Sequence, residues 1–505
     1  MNDKEKRRID RFNEMVSTKS LYFPSAEIYP KSFAGFYEYG PIGNRIRLNL
    51  IKFWRNEFVK KNNFLEISGS IILPESVFQA SGHLKNFDDP IATCSKTGQT
   101  YKLDKYLSDK LNKEIPEGLS ISDYQKIIDD NLIKSEAGGE LINIKRFNLM
   151  SNINVGVEEG NKGYLRGESC QSIFLDFLRI YKTGRDGLPL TISQHGKVYR
   201  NEISPRNGLI RCREFEQLET EMFFDVDKID DCDLEKQKDY KIRFRLLKDS
   251  EEKDYSVKEI TEQKICVGKL LTYYLYLKQK FLDDIGFKHQ DIRFREVPED
   301  DRAFYSKQTF DLEVKSSLGW IELFSFNYRT DHDLKSHSLG SKKDLTVKED
   351  GKVISPHVLE VSSIGLDRLF YVLLENSFEG KEEKEELRNI LKLKPKISPY
   401  FCAILPLVKK DGLLELSKEV LHDLLDTTTY LFDIYFDEKG SIGKRYARLD
   451  EIGCNYCLTI DHDSLEDKSV TIRDRDSFEQ KRILIKDLSN VLVDLYKGKK
   501  VFKDL

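Results

Sequence analysis

The apolar positions along the chain change period several times, and each change marks an element. Within 44–61, Ile46, Leu50, Phe53, Trp54 and Phe58 recur at helical spacing, and Asn62-Asn63 ends the run. Residues 65–72 read as a strand. The stretch 95–150 is polar with helical patches at 104–113 and 122–132, the profile of an insertion. From 164 to 226, short apolar alternations carry many arginines, which predicts antiparallel strands lining a site. Residues 228–264 are dense in Asp, Glu and Lys, so a solvated helix or a second insertion is expected, followed by an amphipathic helix over 261–283. Strands return over 310–328, a helix over 365–375, and a charged connector over 379–396. Beyond Phe401 apolar and amphipathic segments alternate, predicting a compact α/β domain with a largely parallel sheet.

Composition narrows the class. The chain has 505 residues, 39% hydrophobic and 33% charged, which suits a globular protein of several domains rather than a disordered one. A net charge of −4 argues against a uniformly basic nucleic-acid binder but leaves room for a local basic groove. The eight cysteines follow no framework spacing, so reduced thiols and a cytoplasmic setting are expected. Cys454 and Cys457 have the spacing of half a zinc site without a partner pair, and core cysteines are the better reading. No apolar run reaches the roughly 20 residues of a membrane helix, and no signal peptide is apparent, so no membrane partner is expected.

Candidate chemistry concentrates in Tyr199-Arg-Asn-Glu-Ile-Ser-Pro-Arg-Asn-Gly-Leu-Ile-Arg-Cys-Arg-Glu-Phe-Glu-Gln-Leu-Glu219. Pro205 fixes φ and Gly208 admits a positive φ, so two strands joined by a loop over 204–208 are expected. Lys197, Arg200, Arg206, Arg211 and Arg213 outnumber Glu202 and Glu214 there, and guanidinium forks suit phosphate oxygens. On charge alone, an exposed charged hairpin reads the same.

The string itself closely resembles motif 2 of class II aminoacyl-tRNA synthetases in its glycyl form. The resemblance implies an antiparallel catalytic sheet flanked by helices (α+β) over 1–395, with insertions near 95–155 and 228–305, then an anticodon-binding α/β domain over 398–505. It implies that Arg200 holds the α-phosphate of ATP, that Glu202 accepts from the adenine amino group, that Arg211 reaches the terminal phosphates and that Phe215 stacks on adenine. Asn201, Ile210, Arg213, Leu323 and Gly365 would complete the ATP site, and Arg206 would meet the tRNA acceptor end.

Other blocks carry the same resemblance. Phe36-Tyr-Glu-Tyr-Gly-Pro-Ile-Gly43 with its helix is similar to motif 1, which implies a homodimer. Pro356-His-Val-Leu-Glu-Val-Ser-Ser-Ile-Gly-Leu-Asp-Arg368 resembles motif 3, whose arginine, here Arg368, contacts the terminal phosphate and adenine. It departs from the usual form: Val361 replaces a proline and one extra residue precedes Gly365, so Ser362 or Ser363 takes the serine role. Tyr164-Leu-Arg-Gly-Glu168 and the block 319–337 resemble glycyl-specific segments, which implies that Glu168 and Glu360 grip the substrate ammonium, that Glu322 sits at ATP and Mg²⁺, and that Arg329 lies near the amino acid. Gln217 and Glu219 would join that pocket, with Lys102 where the family carries an arginine. Segments 440–453 and 470–476 are similar to the anticodon-binding domain, with Lys444, Arg445 and Arg448 offered to the tRNA. The expected activity is glycine–tRNA ligation: ATP activates glycine, and glycyl-adenylate charges tRNA(Gly). A non-catalytic relative that kept the fold, or a threonyl, prolyl or histidyl synthetase, are the competing readings.

Overall fold

The computed structural model describes residues 3–113, 115–116, 118–157, 160–203, 205, 207–383 and 386–505. Pro41 opens helix α1 (Pro41–Trp54), where its missing N–H costs nothing. The helix runs on through a π-helical turn (Arg55–Lys60), so the 44–61 pattern is one continuous rod whose inner stripe of Ile46, Leu50, Trp54 and Phe58 is buried. The strand expected over 65–72 is split. Strand β1 (Leu65–Glu66) joins the central sheet, while Ile72–Pro74 pairs elsewhere.

A separate module follows. Strands β2 (Asp88–Cys94), β3 (Thr100–Lys102) and β4 (Leu141–Asn148) form a three-stranded sheet in the order β3-β2-β4. Helices α2 (Leu103–Leu111) and α3 (Ile121–Asp130) cover it, and Ala92, Tyr101, Leu107, Tyr124 and Leu141 give it a core of its own. The polar profile over 95–150 reflects this small, mostly surface-exposed unit.

The central sheet is assembled from β1 and eight later strands. In chain order the next elements are helix α4 (Cys170–Thr183), strands β5 (Leu190–Tyr199), β6 (Glu214–Phe224), β7 (Lys241–Arg245) and β8 (Lys253–Ser256), helix α5 (Lys269–Ile285), and strands β9 (Ile292–Glu296), β10 (Gln308–Ser316) and β11 (Gly319–Thr330). Helix α6 (His332–Ser341), strand β12 (His357–Gly365) and helix α7 (Leu366–Ser377) complete it. The spatial order is β8-β7-β9-β10-β11-β12-β6-β5-β1, antiparallel except for the β1–β5 and β7–β9 pairs. Two expectations change here. Helix α4 replaces strand within 164–226, because its buried positions Cys170, Ile173, Phe174 and Phe177 follow helical spacing. The charged stretch beyond 228 is not a solvated helix: β7, β8 and β9 extend the sheet, and Ile242, Phe244 and Phe294 pack into its main core. Its charges occupy the solvent-facing alternate positions, which masks the strands in a composition scan.

The connector at 379–396 is a hairpin, Phe378–Glu383 paired with Glu386–Leu391. The last domain has strands β13 (Cys402–Pro406), β14 (Ile434–Phe436), β15 (Tyr456–Ile460), β16 (Ser469–Asp474) and β17 (Gln480–Leu484), with helices α8 (Leu413–Thr428), α9 (Ile442–Glu451) and α10 (Ile485–Lys497). Its order is β14-β13-β15-β16-β17; the first three strands are parallel, and β16 and β17 add antiparallel pairs, so the sheet is mixed rather than largely parallel. Helix α1 ties this domain to the first: Asn49 Nδ2 donates to Ser398 O at 2.8 Å, and Arg45 pairs with Asp433 at 2.7 Å. Among the described residues no helix is long and apolar enough to cross a membrane.

Candidate active site

Strand β6 builds the floor. Its pleat alternates: Leu218, Met222 and Phe224 enter the main core, while Phe215, Gln217 and Glu219 line a cavity of about 210 Å³ on the opposite face. The neighbouring strands add Glu360, Ser363 and Gly365 from β12 and Glu322, Leu323, Asn327 and Arg329 from β11. The β5–β6 connection contributes Arg200, Glu202, Ile210 and Arg211, the turn before α4 contributes Glu168, and α7 contributes Arg368. Gly208 has φ +60, the left-handed turn its position suggested.

The cavity has a cationic and an anionic part. Arg368 Nε donates to Ile210 O at 2.9 Å, and its Nη1 lies 3.7 Å from Glu322 Oε2. Arg211 Nε donates to Glu202 Oε2 at 2.6 Å. Arg200 joins the two parts. Its guanidinium sits between the rings of Phe87 and Phe215, at 5.1 and 5.4 Å, its Nε donates to Gly167 O at 3.1 Å, and it lies 3.7 Å from Glu168 Oε1.

The anionic part is unusually rich in buried carboxylates. Oxygens of Glu219, Glu221 and Glu360 lie within 4.8 Å of one another. Both Glu221 oxygens and Glu360 Oε1 lack a hydrogen-bond partner, which is costly for a buried acid. Burial, then the neighbouring carboxylate of Glu360, raises Glu219 well above the usual range, and burial raises Glu221 likewise. Glu360 is also raised, chiefly by burial, against the pull of Lys278 and Arg329. Lys278, on α5, is pushed down to about 8 by burial although the three glutamates pull it up. Glu168 behaves oppositely: burial opposes its charge, but the hydrogen bond and charge of His83, with Arg200 and Arg329, hold it below the usual carboxylate range. Arg329 is fully buried, forked onto Asp333 at 2.7 and 2.9 Å, stacked 3.7 Å over Tyr305, and 3.6 Å from Glu360. The pocket therefore gathers carboxyl groups that can meet a small cation such as an ammonium group.

The extra residue of the 356–368 block is absorbed by a β-bulge. Glu219 pairs with Ser363, Thr220 with Ser362, and Glu221 with Glu360, so Val361 is left without a partner. The slip rotates Ser363 into the cavity, where its Oγ donates to Glu219 Oε2 at 3.2 Å. Ser362 faces the core, accepting from Trp54 Nε1 at 3.0 Å and donating to Leu218 O at 3.1 Å. Of the two serines, Ser363 is the pocket residue.

Several expected contacts lie elsewhere. Lys102 is outside the cavity, bound to Asp89 at 2.6 Å and 3.8 Å from Asp104, because a lysine in this buried spot is neutralised by module carboxylates. Arg213 turns away from the cavity to donate to Glu202 O and Ala34 O, fixing the loop around it. Asn201 is exposed beyond the cavity lining, and Arg206 lies outside the described residues. In the last domain Arg445 is 2% exposed and spends its guanidinium on Pro406 O, Asp437 O and Leu407 O, so it braces the fold instead of meeting tRNA. Arg448 is tied to Asp437 at 2.5 Å, and Lys444 is exposed. Cys454 and Cys457 are buried free thiols, as core packing predicts. Sequence reasoning missed His83, which touches Glu168 at 3.3 Å, and Asn327, which donates to Glu360 at 3.1 Å. Nothing in their spacing announces either contact.

Glu322 has the chemistry of a magnesium ligand. It is a half-exposed carboxylate at the cationic mouth, and magnesium is commonly held by one or two carboxylates together with substrate phosphates. That donor fits, whereas Glu219, Glu221 and Glu360 are fully buried together deeper in the sheet.

Residues 154–377 match a family model described as the tRNA synthetase class II core domain (G, H, P, S and T), and residues 402–495 match one described as an anticodon binding domain. A glycine–tRNA ligase of Pyrococcus abyssi is 36% identical, covering 97% of this chain and 99% of that protein. A glycine–tRNA ligase of Methanothrix thermoacetophila is 34% identical over 98% of both. A crystal structure titled as the RNA binding domain of threonyl-tRNA synthetase from Cryptosporidium parvum superimposes with a TM-score of 0.58 over 96% of this chain at 18% identity, a likeness of fold.

Proposed function

Because the chain belongs to the glycine–tRNA ligases, within the class II aminoacyl-tRNA synthetases, we propose that the cleft lined by β6, β11 and β12 aligns glycine with ATP. The glycine carboxylate attacks the α-phosphorus; the bond to the β-phosphate oxygen breaks, and pyrophosphate leaves. A ribose hydroxyl at the tRNA 3′ end then attacks the glycyl carbonyl, and AMP departs. Neither step needs a protein nucleophile, so the work is alignment and charge stabilisation.

The observation that carries this reading is that Arg200, Arg368 and Glu168, far apart in sequence, line one cavity. Arg200 stands between the two parts and holds the α-phosphate beside an ammonium gripped by Glu168, Glu219 and Glu360. Arg211 and Arg368 take the terminal phosphates; Phe215 stacks on adenine and Glu202 meets its amino group. Glu322 would hold Mg²⁺, which would supply further neutralisation of phosphate charge. A side chain on the substrate would have to displace packed neighbours such as Tyr305, at roughly 1–3 kcal/mol or more. The last domain reads tRNA(Gly), with Lys444 as a phosphate contact. The enzyme works in the cytoplasm as a homodimer; the exposed Ile28, Tyr29 and Phe33 before α1 supply apolar surface for a second copy.

ATP–pyrophosphate exchange with glycine, threonine, proline and histidine tests the reading. Exchange with glycine alone is expected. Exchange with another of the four would reassign the substrate, and none at all would point to a non-catalytic relative.

A further inference from the structure

The β2–β4 module reaches the cleft through one buried carboxylate. Asp89, on β2, is 2% exposed. Its Oδ1 accepts from Lys102 Nζ at 2.6 Å, and its Oδ2 lies 3.4 Å from Arg211 Nη2. Arg211 is held from the other side by Glu202 at 2.6 Å. Lys102 ends β3, where β2 and β3 pair Ile91 with Lys102, so the module's own sheet fixes the distance between Lys102 and Asp89. A chain Lys102–Asp89–Arg211–Glu202 thus runs from a unit with its own core into the phosphate end of the cavity.

We propose that Asp89 is a positioning residue: it orients Arg211 for the terminal phosphates of ATP, and the module sets nucleotide affinity through it. The proposal rests on Arg211 serving those phosphates. An unheld arginine samples many rotamers and must be ordered when ATP binds. A guanidinium gripped by carboxylates on two sides is ordered beforehand. Asp89 is too deep to touch ATP itself. Lys102 occupies the other oxygen of Asp89, so the carboxylate is shared between the two cations and does not take Arg211 wholly for itself.

The test is ATP–pyrophosphate exchange by the full chain carrying Asp89→Asn, Asp89→Glu, Arg211→Ala, or Asp89→Asn with Arg211→Ala. Asp89→Asn keeps the shape and removes the charge; it should raise the KM for ATP about 10-fold with the KM for glycine changed less than about 2-fold. Asp89→Glu should recover part of the loss. In the Arg211→Ala background, Asp89→Asn should add less than about 2-fold, because its route is already cut. Equal effects in both backgrounds, an equal loss in glycine KM, or an unchanged ATP KM overturns the proposal. An Arg211→Ala variant with normal ATP KM overturns it together with the phosphate role of Arg211. Thermal unfolding of each variant accompanies the kinetics: a fall in Tm with the kinetic selectivity absent counts as a purely structural role and also overturns it. Wild-type exchange with glycine separates this result from failure of the glycine reading.

Discussion

The hydroxyl of Ser363 stands 3.2 Å from the carboxylate of Glu219 inside the cleft, while the hydroxyl of its neighbour Ser362 receives the indole N–H of Trp54 on the opposite face. Two adjacent serines therefore have separable roles. Ser363→Ala should raise the glycine KM by about 3- to 10-fold at unchanged Tm. Ser362→Ala should leave that KM nearly unchanged but cost about 1–3 kcal/mol, since the Trp54 N–H is left buried and unpaired. Kinetics and denaturant unfolding of both variants check the assignment, and the reverse pattern would sink it.

Arg200 bridges the two parts of the cleft, between Phe87 and Phe215 and beside Glu168. Arg200→Ala should lower kcat/KM for exchange by about 100-fold or more, with the fold intact by circular dichroism. Near-normal exchange would remove Arg200 from the chemistry.

The glycine pocket should be pH-sensitive. Glu219, Glu221 and Glu360 are raised, the first two well above the usual range, so in the empty site they retain protons at pH values where exposed glutamates have lost them. Neutral acids hold an ammonium poorly, so the glycine KM should fall as pH rises from about 6 to about 8.5. Glycine binding should also release protons, seen as buffer-dependent heats in calorimetry. Glu221→Gln should flatten the profile. A glycine KM that is flat or rises over this range contradicts the arrangement.

Arg445 and Lys444 are adjacent on α9 yet differ completely in burial. Arg445→Ala should cost about 2–4 kcal/mol in the last domain, because three carbonyls lose a charged donor. Lys444→Ala should leave unfolding unchanged and weaken tRNA binding, with a smaller salt dependence. Filter binding at two salt concentrations and thermal unfolding distinguish the two.

Local periodicity was enough to place α1, α7 and the α/β end of the chain, since each buries one stripe at a regular spacing; the helix expected over 261–283 is broken, with a short turn of helix ending at Glu262 and α5 starting only at Lys269 after Gly268. It failed where burial came from other elements. β7 and β8 carry so much charge that only the pairing of β8 with β7, and of β7 with β9, reveals them as strands of the main sheet. Helix α4 reads like strand because it is buried on more than one side.

The residue types lining the cavity were legible: the guanidinium groups of Arg200, Arg211 and Arg368, the carboxyl groups of Glu168, Glu219 and Glu360, and a glycine where the turn needs a positive φ. Their presence follows from chemistry that tolerates few substitutes, and such chemistry is written one residue at a time. Direction and company were not legible. Only the bulge at Val361 decided that Ser363 rather than Ser362 enters the cleft. Only packing turned Arg445 inward, gave Lys102 to Asp89, and brought His83 to Glu168. Which way a side chain faces, and what meets it there, is set by contacts between segments tens to hundreds of residues apart.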